Sequence, residues 1–482
     1  MSAAEARTQD QDGAMRQMLA RQRNAHHVDG PPSAELRIDR IDRAIGLLVG
    51  YKYPLAEALR EDFGHRSVHA TLLTDIAGSI APLKFARENL RAWMRPEKRK
   101  VNPAILGLFG ARARVEYQPK GVVGIISPWN FPVQLTFGPL AGAFAAGNRL
   151  MIKPSEFTPH TSELLAKIFR TAFDESEVAV FTGGPEVGAA FSKLPFDHLL
   201  FTGATSIAYH VMRAAAENLV PTTLELGGKS PVIVGRTANI DLAAKRVMMV
   251  KTLNAGQICL APDYVMVPKD KAGDFVAAAQ GAVAAMFPTL KDNPDYTSVI
   301  NQRHYDRLMG YVADARAKGA EIVEINPARE DFNQQPFHKI PPTLILNPTD
   351  DMAVMKDEIF GPLLPVKTYE AADEAIGYVN DHPRPLGLYY FGTDSAEEQR
   401  VLARTTSGGV TVNDVFMHIS MEDLPFGGIG PSGMGSYHGL DGFKTFSHAK
   451  AVFHQTKTDV TGMLRPPYGA KFLKMVESQI KR

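Results

Sequence analysis

The 482-residue sequence contains a single cysteine, Cys259. One thiol cannot form an intrachain disulfide, so a disulfide framework is excluded. The first residues are polar and of mixed charge, without the apolar stretch of a secretory signal. Together with the single cysteine, this predicts a protein of the reducing cytoplasm.

The sequence also lacks an excess of either charge, since 53 Lys and Arg residues are balanced by 52 Asp and Glu residues. This balance leaves no electrostatic footprint for nucleic acid or for an anionic membrane surface, and we predict neither partner. Residues 121–147 carry no charge over a length that would span a bilayer. Their three prolines and two side-chain amides argue against a membrane helix, so we interpret them as a buried strand, a loop and a packed helix.

Composition and hydrophobic periodicity favour an α/β fold. Apolar residues make up 45% of the chain and charged residues 22%, which is ordinary for a globular protein, and the length suggests two or three domains. Helical spacing of apolar residues marks 34–50 and 72–93. From residue 121 onward, short β-branched runs alternate with helix-period segments, including a helix opened by Thr158 as N-cap and Pro159. That alternation predicts parallel sheets covered by helices on both faces.

Two apparent phosphate- or dinucleotide-binding motifs lack the sequence context that they require, and the histidines do not indicate a metal site. Residues 428–433 match GxGxxG, but no strand precedes them and Pro431 lies within the match. Residues 227–230 resemble the end of a phosphate-binding loop, yet Thr223 stands where the first glycine is needed. The 14 histidines show no convincing ligand spacing with cysteine or acidic residues, so we predict no metal site.

Six short motifs occur in the order and approximate spacing found in aldehyde dehydrogenases, a family that the sequence resembles over nearly its whole length. They are SPWNFP at 127–132, KPSE at 153–156, FTG at 201–203, LELGGKSP at 224–231, GQIC at 256–259 and EIFGP at 358–362. The residues LAPDY after Cys259 resemble the class 3 branch of the family. The glycine-rich ending at 425–435 looks most like that of bacterial coniferyl-aldehyde dehydrogenases.

The resemblance implies a covalent mechanism at Cys259. Its thiolate would attack an aldehyde to form a hemithioacetal, and loss of hydride would leave a thioester. The Asn130 side-chain amide and the Cys259 N–H would stabilise the oxyanion. Glu225 would activate water and so favour a free carboxylic acid as product. Taken singly, the residues have other readings: a packed small hydrophobe for Cys259, a turn residue for Asn130 and a salt-bridged carboxylate for Glu225.

The same resemblance assigns a cofactor site for NAD. Lys153 and Glu156 would bind the adenosine ribose, and Gly203 would let the following helix approach the pyrophosphate. Glu358 would hold the nicotinamide ribose, with Phe360 against the ring. Since Glu156 should repel a 2′-phosphate, we expect NAD to be preferred, with NADP still possible.

The substrate is expected to be a small aldehyde, and an aromatic one such as coniferaldehyde, which would yield ferulate. A flat apolar slot could be lined by Trp129, Phe131, Leu135 and Phe416, although each of these is also a candidate for core packing. A medium- or long-chain aliphatic aldehyde is the alternative substrate. A cysteine-dependent acyl hydrolase or transferase is a remote alternative function.

The family architecture implies a Rossmann-like cofactor domain, an α/β catalytic domain and a small β arm for oligomerisation. Exposed edge strands in such an arm favour pairing with a second subunit, and we predict a homodimer. The predicted ranges are 1–102 and 121–227 for the NAD-binding domain, 228–436 for the catalytic domain, 103–120 and 437–460 for the arm, and 461–482 for a C-terminal tail.

Overall fold

A computed structural model of the protein describes residues 3–457, 459 and 461–481. Residues 1, 2, 458, 460 and 482, which belong to the predicted domain ranges, lie outside the described residues. The helices are α1 Ala3–Asp29, α2 Ala34–Gly50, α3 Lys52–Asp62, α4 Val68–Thr71, α5 Gly78–Trp93, α6 Ala104–Leu108, α7 Gln134–Ala146, α8 Pro159–Ala172, α9 Pro185–Ser192, α10 Thr205–Ala216, α11 Ile240–Thr252, α12 Ala272–Met286, α13 Gln302–Ala317, α14 Ala353–Lys356, α15 Ala372–Asn380, α16 Ser395–Arg404, α17 Gly439–Thr445 and α18 Ala470–Gln479. Leu72–Ala77 is π-helical, and short 3₁₀ segments occupy Leu253–Gly256, Lys269–Lys271, Met417–Ser420 and Gly462–Leu464.

The strands form three sheets. They are β1 Glu97–Arg99, β2 Arg112–Pro119, β3 Val122–Ile126, β4 Arg149–Lys153, β5 Val178–Val180, β6 His198–Thr202, β7 Thr222–Glu225, β8 Pro231–Val234, β9 Tyr264–Pro268, β10 Glu321–Glu324, β11 Thr343–Leu346, β12 Leu363–Tyr369, β13 Gly387–Phe391, β14 Gly409–Val412, β15 Gly433–Met434 and β16 Ser447–His454. The strand order is β15-β7-β6-β3-β4-β5 in the first sheet, β10-β11-β12-β9-β8-β13-β14 in the second and β1-β2-β16 in the third.

The first and second sheets are parallel apart from one edge strand each. In the first sheet, only β15 runs antiparallel, against β7; in the second, only β10 does, against β11. Strands β3, β4 and β6 are buried along nearly their whole length, as expected for strands covered on both faces. The predicted α/β class with parallel sheets is therefore confirmed.

The third sheet is fully antiparallel and brings together distant parts of the chain. Ser447 pairs with Pro119, and the ladder continues to His454 opposite Arg112. Two short strands join a sheet other than the one expected from their predicted domain range. Glu97–Arg99 joins this arm sheet although it lies in the range predicted for the cofactor domain, and Gly433–Met434 joins the first sheet although it lies in the range predicted for the catalytic domain.

The uncharged stretch 121–147 is the buried strand, loop and helix that its composition predicts. Helix α7 is buried on all faces, and it ends at Gly147, whose φ of 93° lies in the left-handed region. Such a helix belongs in a protein core when it is surrounded by other elements, and here it packs against α2, α5 and α17.

Helix α8 begins at Pro159 with Thr158 at the N-cap position, as expected, but another residue supplies the capping bonds. The Thr158 side chain makes no capping hydrogen bond. Instead, the Asp62 carboxylate at the end of α3 accepts from the backbone N–H groups of His160 and Thr161, each at 2.9 Å. A carboxylate at this end also complements the helix dipole, so a residue nearly a hundred positions away replaces the local cap.

Candidate active site

Four of the six motifs begin where strands of the first sheet end. Ser127 follows β3, Lys153 is the last residue of β4, Gly203 follows β6, and Glu225 is the last residue of β7. The chain builds β3, β4 and β5 toward one edge, then returns to place β6 and β7 on the other side of β3. Ligands of open α/β sheets bind outside the carboxyl ends of the strands at such a reversal.

The cysteine motif follows a run of left-handed backbone. Asn254, Ala255 and Gly256 have φ values of 49°, 51° and 70°. A Cβ at Gly256 would collide with the carbonyl oxygen of Gly361, so only glycine fits there. Strained backbone of this kind clusters at functional sites. Cys259 lies just after the turn, in the segment that leads into β9.

Asn130 lies against this turn. Its Nδ2 donates to the Gln257 carbonyl at 3.2 Å, two residues before Cys259. The Asn130 carbonyl in turn accepts from Arg66 Nη1 at 2.7 Å and from Asn254 Nδ2 at 3.2 Å. Arg66 is buried and ion-paired with buried Asp75 at 2.6 Å. The loop carrying Asn130 is thus fixed from both sides by charged or amide donors.

Cys259 and Glu225 share a poorly solvated environment. Cys259 retains some accessible surface, but protein atoms crowd the thiol, and this burial, with the nearby Glu358 and Glu225 carboxylates, raises its pKa to about 12. Burial raises the pKa of Glu225 well above its ordinary value. Neither Glu225 oxygen has a hydrogen-bond partner, and the carboxylate has no ion-pair partner within the described part of the chain. Glu225 is therefore not a salt-bridged surface carboxylate.

Glu358 points at the glycines that follow Glu225. A Cβ at Gly227 would overlap the Glu358 carboxyl group, and the Gly228 backbone donates a hydrogen bond to it. Burial, with the charge of Asp263, raises the pKa of Glu358 to about 8. Its Oε1 atom has no hydrogen-bond partner among the described residues.

The backbone that carries Glu358 is clamped. Lys229 Nζ donates to the carbonyls of Val354 and Asp357, both at 2.8 Å, and pairs with Asp263. Asp263 Oδ1 accepts from the Ile359 N–H at 2.8 Å. On the other side, Arg307 Nη1 donates to the Ile359 carbonyl at 2.9 Å. The Glu358 carboxyl group is therefore the free end of a rigid loop.

The other predicted cofactor residues lie at the ends of β4 and β6. Lys153 Nζ pairs with Glu156 Oε2 at 3.0 Å, and the lysine is buried. The Gly203 N–H donates to the Glu225 carbonyl at 3.0 Å, just before α10 begins. A Cβ at Gly203 would meet the Phe201 ring at 2.6 Å, so glycine is required for this close approach.

Of the four residues predicted to line a substrate slot, Trp129 contacts Phe360, a predicted cofactor residue. Its ring centroid lies 5.3 Å from that of Phe360, 5.3 Å from that of His304 and 6.1 Å from that of Phe63. Phe360 has a left-handed φ of 48°, which turns it toward this cluster. His304 was not predicted, because a lone histidine at the start of a helix carries no chemical signal in the sequence.

The other three predicted slot residues differ in burial. Leu135 and Phe131 belong to the main hydrophobic core, and the Arg66 guanidinium lies 5.1 Å from the centre of the Phe131 ring. Phe416 is half-buried with a left-handed φ of 71°. Leu135 and Phe131 are thus packed in the core, which is the alternative role considered for them, whereas Phe416 keeps an accessible face.

Sequence reasoning also missed two buried tyrosines beside Cys259. Tyr389 donates its hydroxyl to the carbonyl of Leu260 at 2.6 Å. Tyr437 is buried, and burial with the charges of Glu225 and Cys259 raises the pKa of its phenol well above the ordinary value. The only signal for Tyr437 in the sequence was its place at the end of a glycine-rich loop.

Comparison with known proteins accounts for this arrangement. The family model described as "Aldehyde dehydrogenase family" matches residues 1–452. The chain belongs to the aldehyde dehydrogenase family. It is 68% identical over 470 residues to a probable coniferyl aldehyde dehydrogenase of Caulobacter vibrioides, covering 97% of each chain. It is 57% identical over 453 residues to the coniferyl aldehyde dehydrogenase of a Pseudomonas species, covering 94% of this chain and 93% of that one.

Solved aldehyde dehydrogenase structures are similar over almost the whole chain. A substrate-bound structure of Staphylococcus aureus AldH superposes with a TM-score of 0.90 at 36% identity, covering 96% of this chain and 99% of that one. A Mycobacterium tuberculosis aldehyde dehydrogenase complexed with NAD⁺ gives a TM-score of 0.80 at 28% identity, covering 92% and 90%. The predicted family, fold and oxidation of aldehydes are thereby confirmed.

The described residues contain no group of three or more His, Cys, Asp or Glu side chains placed to hold a metal ion. None of their helices combines the length and apolar character needed to cross a membrane.

Proposed function

We propose that this aldehyde dehydrogenase oxidises an aromatic aldehyde, coniferaldehyde, to ferulate with NAD, using Cys259 as nucleophile. The convergence of Asn130 and Glu225 on the cysteine turn carries this assignment. The substrate is supported by the two relatives that bear the name coniferyl aldehyde dehydrogenase at 68% and 57% identity. The cofactor is supported by neighbours solved with NAD⁺.

The first step is attack by sulfur on the aldehyde carbon. With a pKa of about 12, the Cys259 thiol must give up its proton as the carbon–sulfur bond forms. Glu225 is a suitable acceptor, because its buried carboxylate lacks partners and has a raised proton affinity. The oxygen of the resulting hemithioacetal becomes an anion, which the Asn130 amide and the Cys259 N–H stabilise; loss of one such donor typically slows a reaction by about 10²- to 10³-fold.

The residues at the strand ends fit a dinucleotide. Glu358 has an unpaired buried oxygen that can accept from a ribose hydroxyl. When bound, NAD supplies the acceptor for the hydride that leaves the hemithioacetal. Lys153 and Glu156 would bind the adenosine ribose. Because Glu156 places a carboxylate there, a 2′-phosphate is disfavoured and NAD is preferred over NADP.

Release of the product requires water. After the proton that Glu225 took from Cys259 has left to solvent, Glu225 takes a proton from a water molecule as the water oxygen attacks the thioester carbonyl. The carbon–sulfur bond then breaks, and Glu225 returns its proton to the sulfur. The product is the free carboxylic acid. A carboxylate whose pKa is raised by burial suits this role, since it binds a proton more strongly than an exposed carboxylate does.

The decisive experiment measures NADH formation with coniferaldehyde, benzaldehyde and alkanals, with Cys259→Ala as control. We expect the highest kcat/KM for coniferaldehyde and no activity in the alanine variant. A clear preference for alkanals would replace the substrate assignment, and an active Cys259→Ala enzyme would end the covalent mechanism. Absence of NADH with every aldehyde, together with thioester hydrolysis, would favour the acyl hydrolase.

Steady-state kinetics test the role of Glu225. Glu225→Gln should slow steady-state turnover by about 10²-fold or more, because the thioester can no longer be hydrolysed with base assistance. Glu217, exposed at the end of α10, provides the matched control Glu217→Gln. Full turnover in Glu225→Gln would remove Glu225 from the mechanism.

We also propose a cytoplasmic homodimer that pairs through the arm, with the first sheet as cofactor domain and the second as catalytic domain. Strand β16 is an edge strand of the arm sheet and most of its side chains are exposed, including Phe453. Light scattering at micromolar concentration should give twice the 52.7 kDa mass of the chain. A monomer would contradict the proposed assembly, and secretion of the native protein would contradict the compartment.

A further inference from the structure

Gln257, in the GQIC motif two residues before Cys259, has a side chain that the proposed mechanism does not use. This residue is completely buried. Its Oε1 atom accepts from the Ile300 N–H at 3.0 Å, and its Nε2 atom donates to the carbonyls of Asn254 at 2.9 Å and Ser298 at 3.0 Å. Both side-chain N–H groups and the side-chain oxygen are therefore paired with main-chain atoms.

These contacts are specific for an uncharged amide. The amide nitrogen faces two carbonyls and the amide oxygen faces an N–H donor, so a reversed amide would place like groups against each other. A glutamate would replace the double donor by a second acceptor, and an apolar side chain would leave buried main-chain groups without partners. Glutamine is thus the side chain that matches all three partners.

The main-chain carbonyl of Gln257 holds the predicted oxyanion donor. It accepts from Asn130 Nδ2 at 3.2 Å and from Asn254 Nδ2 at 3.3 Å. A side-chain amide has two N–H groups, so this bond occupies one N–H of Asn130 and leaves the other for an oxyanion on the carbon bound to Cys259. Because the amide group is planar, fixing the first N–H restricts the direction of the second.

The side chain of Gln257 is also connected to the main chain of Asn130. Ser298, whose carbonyl accepts from the Gln257 amide, donates its own N–H to the His65 carbonyl at 2.9 Å. The next residue, Arg66, donates to the Asn130 carbonyl at 2.7 Å. Asn130, Gln257, Ser298, His65 and Arg66 thus form a closed hydrogen-bonded circuit, which restrains both the side chain and the main chain of Asn130.

We propose that Gln257 is a positioning residue, whose side chain acts through this circuit to fix the Asn130 amide in the orientation that stabilises the oxyanion at Cys259. This inference rests on the proposed function and deepens it, since it states what holds the oxyanion donor before an aldehyde binds. A donor that is already oriented stabilises the transition state without reorganisation during the reaction. Loss of the Gln257 amide should therefore slow the chemical steps and leave substrate binding almost unchanged.

Gln257→Met removes the amide and keeps an unbranched side chain of similar length. We expect kcat to fall by about tenfold to a hundredfold, with KM for coniferaldehyde and for NAD within about threefold of the wild-type values. Alkylation of Cys259 by iodoacetamide forms no oxyanion, so its rate should stay within about threefold of the wild-type rate. Gln399→Met, at an exposed position in α16, is the matched control and should keep full turnover. A wild-type kcat in Gln257→Met, or an equal loss of oxidation and alkylation, would overturn the proposal.

A double-mutant cycle tests whether Gln257 acts through Asn130. Asn130→Ala alone should reduce kcat by about 10²- to 10³-fold, and adding Gln257→Met should change that value by less than about threefold. Effects that multiply would refute the positioning role and leave the proposed function intact, whereas absence of NADH from every aldehyde in the wild-type enzyme would overturn both. If Gln257→Met does not fold, Gln257→Glu, which keeps the shape of the side chain, replaces it in the same cycle with the same expected outcome.

Discussion

Because Cys259 is the only thiol in the chain, alkylation by iodoacetamide reports on the candidate nucleophile without interference. Its pKa of about 12, against an ordinary value of 9.0, corresponds to about 4 kcal/mol against the thiolate. At pH 8, only about one molecule in ten thousand carries a thiolate, whereas about a tenth of an ordinary thiol does. In the free enzyme, alkylation should therefore be about a thousandfold slower than that of a model thiol.

The pH profile of this reaction separates the causes. The rate should rise about tenfold per pH unit from pH 7 to 10 without a plateau, since the thiol pKa lies above that range. Glu358→Gln removes a nearby carboxylate with a pKa of about 8, so it should accelerate alkylation above that pH, where the group is ionised. Glu225→Gln also removes a carboxylate, but with it the proposed acceptor of the thiol proton, so it should accelerate alkylation less. Glu217→Gln, on an exposed residue, should leave the profile unchanged. A plateau below pH 9 in the wild-type enzyme, or identical profiles in both carboxylate variants, would refute the electrostatic reasoning.

Three further predictions concern the cofactor and the stability of the site. Glu156→Gln should reduce the preference for NAD over NADP by about tenfold, measured as the ratio of kcat/KM values, because a charge that repels the 2′-phosphate is lost; an unchanged ratio would mean that another group discriminates. Gly256→Ala should lower the free energy of unfolding in urea by about 1–3 kcal/mol and reduce activity, because its left-handed φ and the Gly361 carbonyl both oppose a side chain; a stable, active variant would show that the turn can shift. Arg66→Met should destabilise the protein by about 3–5 kcal/mol, since it strands the buried Asp75 charge and frees the Asn130 loop; the double variant that also carries Asp75→Leu should recover stability in the same assay but not turnover.

Much of the fold follows from the sequence because the relevant signals are local. Alternating β-branched runs and helical periods mark both parallel sheets, and the uncharged stretch 121–147 is a buried strand and helix as predicted. Strands of two or three residues, such as β1 and β15, lack a periodic signal, and their pairing depends on distant partners. The same holds for the cap of α8, where Asp62 acts across nearly a hundred residues.

The candidate site divides in the same way. Cys259, Asn130 and Glu225 could be named because each stands in a motif of a recognisable family. Their pKa values could not be predicted from the sequence, since the raised thiol pKa arises from packing and from Glu358, almost a hundred residues away. The contacts of Trp129 with Phe360 and His304 could not be predicted either, because only the folded chain brings these residues together.

The clamp on the loop before β12 has a kinetic consequence. Lys229, Asp263 and Arg307 fix the main chain on both sides of Glu358, while its carboxyl group rests on the glycines after β7. For the dinucleotide contact proposed at Glu358, binding and release would therefore require rotation about a few side-chain bonds rather than opening of this loop. Side-chain rotations are generally faster than loop movements. We accordingly expect the rate of cofactor exchange to follow the strength of the Glu358 contacts and to be insensitive to solvent viscosity.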